Sequence, residues 1–379
     1  MVSFVDTEMI LFYITISLLL AYSILILYYR AGWTQTPVFS PELEPADIPI
    51  SVIIPARNEE DNIGTLLTSI QSQSYPKHLY EVIVVDDHST DSTAEIVKGF
   101  SFAKLIRLEA DNINSYKKKA IETGIAAASG ELIVTTDADC VVPIHWLKTI
   151  AAFKKKKNAA FIAAPVMLQY KNKFLQIFQA LDFLVLQGIT AASVQKKIHN
   201  MCNGANLAYE RKVFYEVNGF NGIDTIASGD DMLLMHKIAE RFPGRIQYLL
   251  SKDVIVIAAA AKTWKEFFNQ RIRWASKATM YNDIKIFSVL FLVYVFNFCL
   301  LLLVITGFWI HSFWLGIAGV LFVKTIVELA FIYSVAKFFD RLSLLKMFVL
   351  FQPVHILYTV IAGWLGRFGS FEWKGRRVK

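Results

Sequence analysis

The run Ser51-Val-Ile-Ile-Pro-Ala-Arg-Asn-Glu-Glu-Asp61 turns, within a few residues, from unbroken apolar character to clustered charge. Two later stretches repeat the pattern: Val82-Ile-Val-Val85 leads into Asp86-Asp-His-Ser-Thr-Asp91, and Leu132-Ile-Val-Thr135 leads into Thr136-Asp-Ala-Asp139. Near-continuous apolar runs of this length are expected of parallel strands buried on both faces. The intervening stretches, Asn62 to Gln73 and Ser92 to Phe100, carry helical periodicity. A doubly wound α/β sheet follows, and such sheets bind ligands beyond the carboxyl ends of their strands. Three strand ends in a row therefore bring carboxylates to one edge.

Outward from this segment the composition changes. Of 379 residues, 55% are apolar and only 19% charged, and the mean hydropathy is +0.42, which points to a membrane protein. Three cysteines, Cys140, Cys202 and Cys299, make neither a disulfide framework nor a zinc pattern. The net charge of +7 arises entirely after residue 284, where basic residues flank apolar runs, so it marks membrane boundaries and not nucleic acid.

Met9 to Tyr29 is uncharged and long enough, at about 31 Å as a helix, to cross a bilayer. Asp6 and Glu8 before it and Arg30 after it favour an uncleaved anchor with the N-terminus outside and the following chain in the cytoplasm. Ile286 to Ala336 contains only Lys324 and Glu328 as charges and reads as a helical hairpin broken at Gly307 to Ser312. Met347 to Gly366 gives a fourth crossing or, because the basic tail favours the cytoplasm, a re-entrant segment that Pro353 and His355 permit. Lys324 and Glu328 share one helix face at mid-membrane, either as a neutralised pair or as a functional one.

The expected organisation is an anchor (1–30), a Pro-rich linker (31–49), a cytoplasmic α/β domain (50–261), an amphipathic interfacial helix (262–284), C-terminal transmembrane helices (285–366) and a basic tail (367–379). In the interfacial helix, Trp264, Phe267, Phe268, Ile272 and Ala275 fall on one side and Gln270, Arg273, Trp274 and Lys277 roughly opposite. Phe174 to Gln195 is interrupted by Asp182 and several glutamines. It reads as too polar to span, and as either a membrane-skimming helix or a buried core helix, followed by a loop Met201-Cys-Asn-Gly-Ala-Asn206 that faces the acceptor. The lysine runs 117–119 and 154–157 suit solvated faces, and His88, His199 and His236 have no metal-ligand spacing.

Neither G-x-G-x-x-G nor a P-loop occurs, so a phosphate ligand would need a metal bridge. Asp137 and Asp139 can offer hard oxygen ligands to Mg2+ or Mn2+. Each cluster alone also suits a helix cap or turn, and Asp230 or Asp231 could simply cap the helix beginning at Met232.

Taken in order, Ser51 to Glu59, Val84 to Asp91, Thr136 to Asp139, Gly229-Asp-Asp231 and Gln270-Arg-Ile-Arg-Trp274 resemble the membrane-bound family 2 glycosyltransferases of GT-A fold. That group includes cellulose, hyaluronan and poly-N-acetylglucosamine synthases and ceramide glucosyltransferase. The resemblance covers about residues 50 to 280 and implies a GT-A, Rossmann-like, mostly parallel sheet with one N-terminal and about three C-terminal membrane helices. It implies that Pro55, Glu59, Asp86 and Asp87 line the nucleotide, that Lys117 helps hold it, and that Asp137 and Asp139 hold metal and sugar diphosphate. Asp231 is then the general base beside Asp230, in a pair that is usually Glu-Asp; Arg273 and Gln270 take the diphosphate, and Trp274 offers the acceptor a platform.

The implied activity is inverting transfer from a nucleotide-diphosphate sugar, UDP-linked, to a membrane-associated lipid or growing glycan. The chain is expected in a bacterial-type inner (plasma) membrane with its catalytic domain cytoplasmic. A processive synthase and a non-catalytic nucleotide-binding scaffold are the competing readings; nucleic acid is not an expected partner.

Overall fold

The computed structural model describes residues 4–41, 46–111, 113–198, 201–226, 228–276, 283–368, 371–373 and 376–378. The expectations for His199 and Lys277 lie outside the described residues.

In chain order, α1 (Phe4–Gln35) is followed by β1 (Ile50–Ala56), α2 (Ile63–Gln71), β2 (Tyr80–Asp86), α3 (Thr93–Lys98) and β3 (Ala103–Arg107). Next come α4 (Tyr116–Ala126), β4 (Leu132–Thr135), β5 (Cys140–Val141), α5 (Trp146–Lys157), β6 (Phe161–Ala163) and β7 (Val166–Gln169). After α6 (Phe174–Lys196) lie β8 (Leu207–Glu210), α7 (Arg211–Glu216), α8 (Met232–Arg241), β9 (Ile246–Tyr248) and β10 (Val256–Ala259). The chain continues through α9 (Trp264–Ser276), α10 (Ile284–Gly307), α11 (Trp314–Phe338) and α12 (Phe348–Phe368). Two compact units result: one of Met1–Gln35, Asn172–Ala192 and Ala261–Phe371, the other of Thr36–Lys171, Ser193–Ala260 and Glu372–Lys379. Most of α6 thus belongs with the terminal helices although it lies inside the 50–261 stretch.

The α/β unit holds a seven-stranded sheet in the order β3-β2-β1-β4-β8-β6-β9. β1 pairs in parallel with β2 and β4, β2 with β3, and β6 with β9, whereas β8 runs antiparallel to both its neighbours. Val52, Ile53, Ile54, Val84, Val85 and Leu132 are fully buried, as strands covered on both faces require. Each such side chain contributes about 1.5–3 kcal/mol by leaving water. The chain proceeds outward from β1 through β2 and β3 and then returns to place β4 on the opposite side of β1. The carboxyl ends of β1 and β4 therefore flank a topological switch point. Near its C-terminal end, helix α4 packs so close on β1 that a Cβ on Gly124 would lie 2.5 Å from Ile53 Cγ2. A smaller sheet, β5-β10-β7, completes the unit.

Among the described residues, five helices are long and apolar enough to cross a membrane: Met9–Gln35, Phe174–Lys196, Ile284–Gly307, His311–Phe338 and Leu342–Gly366. Four of them expose most of their apolar surface, as Leu20 and Ile24 of α1 do, which suits contact with lipid. The hairpin expected between Ile286 and Ala336 is present as α10 and α11. α12 runs through Pro353 without interruption, which departs from the break that a re-entrant segment would need.

Of the two readings of the Phe174–Gln195 stretch, the buried helix is the one found, whereas the expectation that it is too polar to span is corrected. It meets the length and composition of a membrane span, and 78% of its apolar window is buried, so it is an enclosed helix and not one skimming a surface. Its polar residues are satisfied from within: Gln179 exchanges hydrogen bonds with the Ala261 backbone at 3.0 Å, and Thr190 donates to Leu186 O. The lysine run 154–157 is also only partly solvated, because Lys154 is 6% exposed and donates to Glu210 at 2.6 Å.

Candidate functional site

Two loops leave the ends of β1 and β2 and are stitched together by their own polar side chains. Asn58 N–H donates to Ser89 Oγ at 3.0 Å, Thr90 N–H to Asn58 Oδ1 at 2.9 Å, and Glu59 N–H to Thr93 Oγ1 at 2.7 Å. Asn58 and His88 both adopt left-handed backbone, at φ 51 and 55°, which turns each loop sharply as it leaves its strand. Asp86 and Asp87 are 4% and 3% exposed. Asp86 Oδ1 accepts from Ser89 N–H, while Asp87 Oδ1 lies 3.0 Å from His88 Nδ1 and 3.7 Å from Arg57 Nη1. Arg57, which also donates to Asp87 O at 2.8 Å, was missed from sequence; its signal is a lone cation between two acidic clusters. Glu59 Oε2 accepts from Asn62 Nδ2, so this carboxylate is held against the start of α2, and Pro55 is the penultimate residue of β1.

A second cluster forms where α4, the end of β4, the loop before β8 and the start of α8 meet. Lys117 Nζ lies 2.7 Å from Asp137 Oδ1 and 3.1 Å from Asp230 Oδ2. Burial favours loss of the Lys117 proton, but the carboxylates of Asp137 and Asp230 outweigh it and hold the ammonium well above the usual lysine range. The same environment pushes up the buried phenol of Tyr209, through desolvation first and the Asp230 charge second. Asp137 is the most open member, with 35% of its side chain exposed against 11% for Asp230, so a ligand meets it first.

Asp231 caps α8: Oδ1 accepts from Met232 N–H at 2.7 Å and Oδ2 from Gly204 N–H at 3.1 Å. Capping is thus real, and together the two bonds orient both carboxylate oxygens. The loop Met201–Asn206 reaches this cluster, as a Cβ on Gly204 would sit 3.2 Å from both Asp230 Oδ2 and Lys117 Nζ. Lys118 is not on a solvated face. It is 1% exposed and donates to Ile223 O, Ile226 O and Ser228 O, tethering the segment that delivers Gly229-Asp-Asp231.

Among the described residues no three His, Cys, Asp or Glu side chains are grouped to hold a metal ion. Asp137 and Asp139 offer at most two hard ligands, which suits Mg2+ or Mn2+ completing its shell with phosphate oxygens and water. Cys140 is buried, with its Sγ 3.8 Å from Asp139 Oδ1, and desolvation first and the neighbouring carboxylates second push its thiol up. The donor set fits such an ion.

Gln270, Arg273 and Trp274 lie together on α9 in the helical unit. The helix starts with a capping-box arrangement, Glu266 N–H donating to Thr263 Oγ1 at 3.2 Å and Lys262 N–H to Glu266 Oε2 at 2.7 Å. The arginine between Gln270 and Ile272 was missed. Arg271 is 4% exposed, pairs with Asp182 of α6 at 2.8 Å and stacks its guanidinium 4.3 Å from the Trp274 ring centroid. At about 100° per residue Arg271 falls inside the arc of Phe267 and Ile272, and a charge amid an apolar face was the signal.

Residues 51–217 match the family described as Glycosyl transferase family 2. The chain is 28% identical over 241 residues to "Probable glycosyltransferase YdaM" of Bacillus subtilis, covering 60% of this chain and 54% of that one. It is 25% identical over 231 residues to the poly-beta-1,6-N-acetyl-D-glucosamine synthase of Staphylococcus epidermidis, covering 60% and 53%. The chain thus spans about half the length of these curated relatives. Among solved structures, the mannosyltransferase PcManGT of Pyrobaculum calidifontis, in complex with GDP-Man and Mn2+, superposes with a TM-score of 0.59 at 20% identity over 94% of this chain and 99% of that one, which establishes a shared fold.

Proposed function

With a glycosyl transferase family 2 domain at residues 51–217 as the premise, we propose that the chain is an inverting glycosyltransferase. It moves a sugar from a nucleoside diphosphate sugar, UDP-linked, onto a membrane-associated lipid or growing glycan. The observation that carries the reading is the Lys117–Asp137–Asp230 cluster adjoining Asp231 at the open end of the sheet.

In this reading the loops after β1 and β2 take the nucleoside, with Pro55 and Glu59 along it and Asp86 and Asp87 accepting hydrogen bonds from base or ribose. Lys117 offers its ammonium to the diphosphate. Asp137 and Asp139 hold Mg2+ or Mn2+, which when bound offsets the negative charge of the diphosphate. Asp231 accepts the proton of the acceptor hydroxyl as that oxygen bonds to the anomeric carbon. The bond from this carbon to the phosphate oxygen breaks on the opposite face, and the nucleoside diphosphate leaves with its electron pair. Asp230 keeps Lys117 placed. Arg273 and Gln270 steady the leaving diphosphate, and Trp274 gives the acceptor an aromatic face. The catalytic domain works on the cytoplasmic side of a bacterial-type plasma membrane.

Similarity to a poly-N-acetylglucosamine synthase favours a second reading in which transfer is repeated and the glycan exported. Membranes holding the full chain are incubated with radiolabelled UDP-glucose, UDP-galactose, UDP-N-acetylglucosamine or GDP-mannose and Mg2+ or Mn2+, then extracted with organic solvent. A small organic-soluble product assigns a lipid acceptor, and a long polymer assigns the second reading. Asp231→Asn is expected to lower transfer by about 10²-fold or more while nucleotide binding persists. Unchanged transfer by this variant would sink the mechanism.

A further inference from the structure

Arg271, Asp182 and Tyr358 form a buried contact set drawn from three helices of one unit: α9, α6 and α12. Arg271 Nη2 lies 2.8 Å from Asp182 Oδ2, and Tyr358 donates its hydroxyl proton to Asp182 Oδ1 at 2.6 Å. The two charged side chains are only 4% and 5% exposed, so neither is a surface ion pair. The guanidinium is not saturated by hydrogen bonds, for its Nε–H has no hydrogen-bond partner among the described residues. It is held by one carboxylate and by ring faces, 4.3 Å from the Trp274 centroid and 5.0 Å from that of Phe267. A planar guanidinium lying on an indole fixes the plane of that indole, which a lysine in the same place would not do.

We infer that Asp182, Tyr358 and Arg271 are positioning residues that set the ring plane of Trp274 for the acceptor. The inference rests on the acceptor role given to Trp274 above. Asp182 and Tyr358 hold the guanidinium, the guanidinium lies over the indole while the Phe183 ring packs against it at 6.2 Å between centroids, and the ring plane these contacts set is the one offered to the acceptor. A positioning role gives a reason for a charged pair where an apolar pair would cost less to bury. It also separates two jobs on α9, since loosening Trp274 should weaken acceptor binding and leave donor handling alone.

The test uses the full chain in detergent with the donor and acceptor established by the extraction assay. Asp182→Asn, Tyr358→Phe, Arg271→Gln and Arg271→Lys are compared for acceptor KM, donor KM, kcat and slow hydrolysis of the donor without acceptor. The expected result is an acceptor KM raised about tenfold in Asp182→Asn and Arg271→Gln, with donor KM and donor hydrolysis unchanged. Arg271→Lys, which keeps the charge for Asp182 but not the flat stack, stays impaired for acceptor. Tyr358→Phe, which preserves shape and folding, gives a smaller rise in the same parameter. The inference is overturned if Arg271→Lys behaves as wild type, or if donor KM and hydrolysis deteriorate in parallel with acceptor KM. No transfer by the wild type would remove the functional reading and this inference with it, whereas normal wild-type transfer with unaltered variants removes this inference alone.

Discussion

At the scale of single residues, the site depends on how one lysine is shared. Lys117 faces Asp137 and Asp230 within 3.1 Å, and both charges favour its protonated form. Because its folded value is raised above the unfolded value of about 10.4, its stabilising contribution is fully present below that pH and is lost only as pH rises through the raised value. Donor affinity measured from pH 7 to 10 is therefore expected to show no decline from loss of the Lys117 charge. In the proposed reading Lys117→Met should raise donor KM about tenfold or more, because the charge-assisted contact proposed for the diphosphate is removed and Asp137 and Asp230 lose their shared cation. Lys118, one position along, faces three backbone carbonyls instead. The lysine run conceals two different tasks that only the twist of α4 separates.

At the scale of elements, the packing of α1, α11 and α12 turns on a closed polar network. Lys324 donates to Glu328 Oε1 at 2.7 Å and to Gln352 Oε1 at 2.6 Å, Gln352 donates to Glu328 Oε2 at 2.6 Å, and Tyr22 donates to Glu328 Oε1 at 2.5 Å. Every member has its partner within the protein, which favours the neutralised-pair reading of Lys324 and Glu328 and assigns them to holding helices in register. Lys324→Met leaves a buried carboxylate without its cation and is expected to cost about 3–5 kcal/mol. Replacing Lys324, Glu328 and Gln352 together by apolar residues should be far milder. Thermal unfolding of both variants in detergent checks this, and an equal loss of Tm in the two would contradict it.

At the scale of the whole molecule, the described residues hold five candidate membrane helices and a sheet domain, and the basic residues around residue 340 mark a side. In the proposed orientation, with the N-terminus outside and α1, α10, α11 and α12 crossing while the enclosed α6 does not, Lys337, Arg341 and Lys346 fall in a cytoplasmic loop. Cys140 and Cys299 are buried and only Cys202 is partly accessible, so a Cys202→Ser background leaves little reactive thiol. In that background, Asp340→Cys is expected to react with a membrane-impermeant maleimide in inverted vesicles and to resist it in right-side-out ones. The opposite pattern would reverse the orientation.

The amino-acid sequence by itself determined the parallel strands, the carboxylates at their ends, the anchor and the helical hairpin. Each of these is a local pattern of apolar runs and polar punctuation, read within about ten residues. It also singled out Asp137, Asp230 and Lys117, which the fold brings into one cluster. What only the tertiary structure decided involves residues distant in sequence. That Lys118 is buried, that Lys154 meets Glu210, that Arg57 faces Asp87 and that Asp182 holds Arg271 all follow from helices and strands packed side by side. The same holds for α6. Its glutamines and aspartate argued locally against a span and left skimming and buried readings open; burial is favoured because the Ala261 backbone, Arg271 and Tyr358 supply partners, and no reading of α6 alone contains those partners.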